Sequence, residues 1–187
     1  MSDGSYTERL KVALSEVNPV QVAEAVARLK GVRVMEGRAF VLGNGGSYAN
    51  AGHLILHLQE LGIMAENLLG NPETTSALAN DTSYASLAAI RLRKAYTGQE
   101  GVLIVLSGSG NSENVILALA EAKRLGMHSI ALLGMGGGMA LKLTTFPITI
   151  ACREYGPIED VHSAIVHMIA EGLGDKSTSH GPPLAFS

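Results

Sequence analysis

The chain of 187 residues carries a formal net charge of −3, with 47% hydrophobic and 17% charged positions. That balance excludes a basic nucleic-acid-binding face, and the length suits one α/β domain with a sizeable core. No unbroken apolar stretch reaches the ~20 residues that span a bilayer, and Met1-Ser2-Asp3-Gly4-Ser5 lacks the pattern of a signal peptide, so a cytoplasmic protein without membrane or nucleic-acid partners is expected.

Leu10, Leu14 and Val17 fall on one face of a first helix. Asn18-Pro19 then supplies a cap and a proline at the first position of a second helix. Val22, Val26 and Leu29 form its apolar stripe, and it should end near Glu36. This pair, residues 1–37, precedes the first strand and need not belong to the sheet layers. Plain packing on the domain and a subunit interface both fit its pattern.

From residue 38 to 174 short apolar runs alternate with helical patterns. Strands are expected near 38–42, 65–69, 102–106, 129–133 and 147–150. Helices are expected near 47–61, 82–97, 112–125 and 158–173, with short ones near 74–79 and 138–143. The alternation predicts a five-stranded parallel sheet with helices on both faces, and ligands outside the carboxyl ends of the strands. The single Cys152 lies in a strand-like run and reads as a small core residue. Polar residues 175–187, with Pro182-Pro183, read as a flexible tail.

Two loops carry chemistry. Gly43-Asn44-Gly45-Gly46-Ser47 follows one apolar strand, Ser107-Gly108-Ser109-Gly110-Asn111-Ser112 follows another, and each opens a helix. A helix N-terminus offers unpaired N–H groups and partial positive charge, and glycine lets the backbone approach an anion. Serines that only cap helices and close turns would also explain either loop alone. Together the two point to a pocket for a phosphorylated small molecule. Neither ends in the Gly-Lys-Ser/Thr of a P-loop, and Tyr48 stands where a dinucleotide fingerprint needs a small residue. Gly134-Met135-Gly136-Gly137-Gly138 should lie on the same edge of the sheet.

Histidines provide a second pattern. His53 and His57 lie one turn apart on one helix face, and Glu159 and His167 about two turns apart on the last long helix. Imidazoles and a carboxylate suit zinc or a similar divalent metal. The same spacing also fits amphipathic helices whose histidines bond locally.

The Gly-Asn-Gly-Gly-Ser loop, Ala79-Asn80-Asp81, the Ser-x-Ser-Gly-Asn-Ser loop and Glu159-Asp160-Val161-His162, followed by Ile165-Val166-His167, occur in the order seen in sugar isomerase (SIS) domains. Over roughly residues 6–174 the chain resembles the phosphoheptose isomerases, which act on sedoheptulose 7-phosphate. The resemblance implies a flavodoxin-like domain assembled as a homotetramer through the N-terminal helices, with sites between subunits. It implies a sugar phosphate held by Ser47, Ser107, Ser109 and Ser112, with Asn44, Gly45 and Asp81 beside them. The family's zinc ligands, His, Glu, Gln and His, fall on His53, His57, Glu159 and His167. Position 57 thus carries His where the family has the Glu assigned to proton transfer, and position 159 carries Glu for Gln. Leu61, Gly156-Pro157 and Asn50 replace an Arg, an Asp-Arg pair and an Asp.

The implied reaction is aldose–ketose isomerisation, with proton transfer between C1 and C2 and His57, Glu159 and His167 as catalytic candidates. A non-catalytic binding module is the alternative, because one relative of this fold associates with the bacterial replication initiator. A phosphosugar-sensing regulator is a third class, opposed by the lack of a DNA-binding segment.

Overall fold

The five apolar runs become strands β1 (Arg38–Gly43), β2 (Met64–Asn67), β3 (Gly101–Ser107), β4 (His128–Leu133) and β5 (Phe146–Thr149) in a computed structural model that describes residues 4–174. The expected tail at 175–187 lies outside the described residues. All neighbouring strands pair in parallel, in the order β2-β1-β3-β4-β5. Every residue of β3 is buried. Its Val-Leu-Ile-Val-Leu run is continuous rather than alternating because both faces of a central parallel strand are covered.

Helices α1 (Tyr6–Ser15) and α2 (Pro19–Val34) precede the sheet, followed by α3 (Gly46–Glu60), α4 (Pro72–Asp81), α5 (Tyr84–Ala95), α6 (Glu113–Arg124) and α7 (Tyr155–Leu173). One core packs α2, α3 and α7 on Ala39, Val41, Val102, Ile104 and Leu106. The other packs α5 and α6 on Phe40, Leu42, Leu103 and Val105. Successive strand residues therefore serve opposite cores, as the two-residue period of a strand requires. The helix after β1 covers the first face and the helix after the adjacent β3 covers the second. A crevice opens where such neighbouring connections diverge, and this is the ligand edge of open α/β sheets.

The N-terminal helices are built into the first face. Asn18 caps α2 by accepting the Val20 N–H. Val22, Ala25, Val26, Leu29 and Val32 then enter the core beside the sheet. α1 ties to the start of α7: the Tyr6 hydroxyl donates to Asp160 at 2.6 Å and Arg9 pairs with Glu154 at 3.0 Å. The expected stripe on α1 needs correction. Leu10 and Val17 pack against the first core as expected, but Ala13 is the fully buried residue of the helix, Leu14 is 41% exposed, and Val17 lies beyond the helix end at Ser15. Cys152 likewise lies past the end of β5, half-buried against the first core rather than within a strand. The expected short helix near 138–143 is a single 3-10 turn, Ala140–Lys142.

Candidate active site

Loop 1, between β1 and α3, is shaped by glycine. Gly45 has φ +58° and ψ −124°, a region open essentially only to glycine. At Gly46 an added Cβ would collide with the Glu159 carboxylate, so that carboxylate rests directly on the start of α3. Loop 2, between β3 and α6, is closed by its own serines. Ser107 Oγ accepts the Gly110 N–H at 3.0 Å and Ser109 Oγ accepts the Asn111 N–H at 3.2 Å. Both hydroxyls thus close turns, as the plainer reading of this loop expects. Each still has its own O–H to donate, held in place by the bond it accepts. Ser112 is the residue preceding α6, and its side chain makes no capping bond. The third glycine run supports loop 2 from outside: Met139 N–H donates to Asn111 Oδ1 at 2.9 Å and Ala140 N–H to the Gly110 carbonyl at 2.9 Å.

Between the loops is a cavity of about 280 Å³. It brings together Asn44, Gly45, Ser47, Ser107, Ser109, Ser112 and Glu159. Tyr155, which sequence reasoning passed over, forms another wall, with its ring against Gly108. The clue was its place directly before the divergent Gly156-Pro157. Asp81 is not part of this cavity; it is exposed at the end of α4 and accepts from the Asn80 side chain at 3.1 Å. A larger cavity of about 460 Å³ opens beside Arg38, Gln59 and Met64. It adjoins the first residues of β1 and β2, away from both loops.

Lower on the same two helices, α3 and α7 bring His53, His57 and His167 together. One ring nitrogen from each lies within 4.8 Å of the others. The Nε2 atoms of His53 and His57 are 3.0 Å apart, and both rings stand within 5.3 Å of His167. Burial, followed by the two neighbouring imidazoles, lowers the basicity of His53. A neutral ring presents the lone pair that a metal needs. Three imidazole nitrogens clustered this closely form a donor set that fits zinc or a similar divalent ion. Glu159 stands apart from the trio. Eight residues along a helix rise ~12 Å, and its carboxylate lies at the Gly46 end.

Two divergent positions have structural explanations. Asn50 Nδ2 donates to the Glu159 carbonyl at 2.8 Å, a bond that an aspartate could not supply. Leu61 packs against the first core.

A model of the SIS domain family matches residues 5–134. The chain belongs to the SIS domain family. Among its relatives, the phosphoheptose isomerase of Mycobacterium tuberculosis is 34% identical over 179 residues, covering 89% of each chain. The solved phosphoheptose isomerase of Francisella tularensis has a TM-score of 0.83 at 25% identity, covering 89% of this chain and 91% of that one. That of Neisseria gonorrhoeae has a TM-score of 0.76 at 26% identity, covering 90% and 91%. This SIS domain therefore has the flavodoxin-like sheet expected from its motifs. Among the described residues no helix is long and apolar enough to cross a membrane.

Proposed function

We propose that this SIS domain is a sedoheptulose 7-phosphate isomerase, an aldose–ketose isomerase of the type named in its relatives. The observation that carries the reading is the pairing, along α3 and α7, of an anion-sized pocket with a cluster of titratable imidazoles. A binding module would use the first and have no need of the second. The ~12 Å helical rise between Glu159 and His167 is comparable to an extended seven-carbon sugar phosphate, roughly 10 Å from C1 to phosphorus at ordinary bond lengths.

In this reading Ser107, Ser109, Ser112 and the N–H groups opening α6 hold the phosphate, with Ser47 and loop 1 beside it. The sugar then runs along the α3–α7 seam toward the histidines. A proton leaves C1 to give an enediolate, and its return at C2 gives the aldose. His57 and His167, at the end of the seam that C1 and C2 reach, are the groups available to accept and return it. His53, His57 and His167 are the residues that would hold zinc or a similar divalent ion. That ion would supply positive charge to the developing oxyanion. Glu159, outside the trio and in the wall of the phosphate pocket, stands ~12 Å along α7 from His167 and takes no part in the proton transfer in this reading. A homotetramer built through α1 and α2, and a cytoplasmic location, belong to the same proposal. The exposed Val12, Leu14, Val20, Val34 and Met35 support the former.

Incubation with sedoheptulose 7-phosphate in deuterated water tests the function. Deuterium should appear in the product at C2, and His167→Ala should abolish turnover while leaving the affinity for inorganic phosphate within about twofold. No exchange with a panel of ketose and aldose phosphates would return the chain to the binding-module class.

A further inference from the structure

Loops 1 and 2 leave adjacent strands, with Gly43 of β1 in register with Leu106 of β3, yet their helices turn to opposite faces of the sheet. The pocket between them is therefore bordered by two segments that diverge. Its width depends on what joins them.

Asn114, in the first turn of α6, is 3% exposed and faces Asn44 of loop 1. The two amides pair reciprocally: Asn44 Nδ2 donates to Asn114 Oδ1 at 2.9 Å, and Asn114 Nδ2 donates to Asn44 Oδ1 at 2.9 Å. The Tyr84 hydroxyl, at the start of α5, donates to the same Asn44 oxygen at 2.7 Å. Both acceptor sites of that oxygen are then filled.

We propose that Asn114 is a positioning residue which, through its paired amide, holds loop 1 at a fixed distance from loop 2 and so sets the width of the phosphate pocket. This rests on the sugar-phosphate reading above. Three observations support it. The pair is reciprocal, so it fixes orientation as well as distance. It is buried at one end, so water competes poorly for it. It bridges the crevice where the sheet connections diverge. A consequence follows for Asn44. Its oxygen is committed to the clamp, so loop 1 has only its backbone N–H groups, one amide hydrogen and Ser47 to offer a ligand. Tyr84 extends the clamp to α5, adding a third element to the frame of the pocket.

Hydrogen exchange by mass spectrometry on the full chain, together with steady-state kinetics on sedoheptulose 7-phosphate, tests the proposal. Asn114→Ala should speed exchange in residues 43–48 about tenfold, although the substituted residue lies some seventy positions away in sequence. It should raise KM about tenfold with kcat within about threefold. Asn114→Leu, which restores volume but not the amide, should behave alike, and Tyr84→Phe should shift both readouts the same way by a smaller factor. Unchanged exchange in loop 1, in a variant whose circular dichroism matches the parent, overturns the clamp. If the Asn114 variants do not fold, the exposed Tyr84→Phe decides on the same readouts. A parent enzyme without turnover would overturn the functional reading instead, and loop exchange would still decide the clamp.

Discussion

His162 on α7 is fully buried, and neither ring nitrogen has a hydrogen-bond partner among the described residues. Burial alone pushes its pKa down to about 4, from an ordinary value of 6.5. The unfolded chain therefore takes up this proton at a higher pH than the folded one. Stability then rises with pH across the window between the two values. The contribution is complete above pH 6.5 and is lost as pH falls through that window toward 4. At 1.36 kcal/mol per unit, the loss amounts to about 3 kcal/mol. His162→Leu nearly preserves volume and removes the titrating group. At pH 7.5 it should also stabilise by about 1–3 kcal/mol, because two buried nitrogens no longer lack partners. The assay is urea unfolding of both proteins at one protein concentration, at pH 7.5, 6.5, 5.5 and 4.5. Other acid-sensitive groups are common to both proteins and cancel in the difference. That difference should widen in favour of the variant by roughly 2–3 kcal/mol from pH 7.5 to 4.5. A difference that stays constant with pH would refute the reasoning, whatever its size.

Three other outcomes are expected. Ser109→Ala should weaken binding of sugar phosphate about tenfold or more in calorimetry, since a hydrogen bond to a charged group contributes about 1.5–3 kcal/mol. Gly45→Ala should destabilise the fold by about 1–3 kcal/mol in thermal or urea unfolding, because its φ of +58° with ψ of −124° excludes a Cβ. Adding zinc to chelator-treated protein should raise the melting temperature, with stabilisation of about 2.7 kcal/mol at a hundredfold excess over Kd, and His53→Ala should remove most of that rise.

The local grammar of this fold is legible in the sequence alone. Strand positions followed from short apolar runs, and the start of α2 from Asn18-Pro19. The ligand edge followed from two glycine-serine loops opening helices. These features depend on residues near in sequence, whose backbone preferences and helix-end chemistry act wherever the segment is placed. The pairing of His53 with His57 was likewise fixed by helical period.

What the sequence left open depends on which surfaces meet. The four-residue spacing on α3 put two imidazoles on one face, but only the packing of α3 against α7 made His167 their neighbour. The same packing left Glu159 with the serine loops, because a straight helix carries residues eight apart to different heights. Leu14 fitted the stripe of α1 yet stays exposed, since the helix turns Ala13 toward the core. Asn44 and Asn114 show the division most clearly. Each is an ordinary polar residue at the start of a helix, and nothing local distinguishes either from a solvated amide. They become partners because β1 and β3, separated in the chain by β2 and three helices, lie side by side in the sheet. Strand order is a long-range choice made by burial on both faces of the sheet.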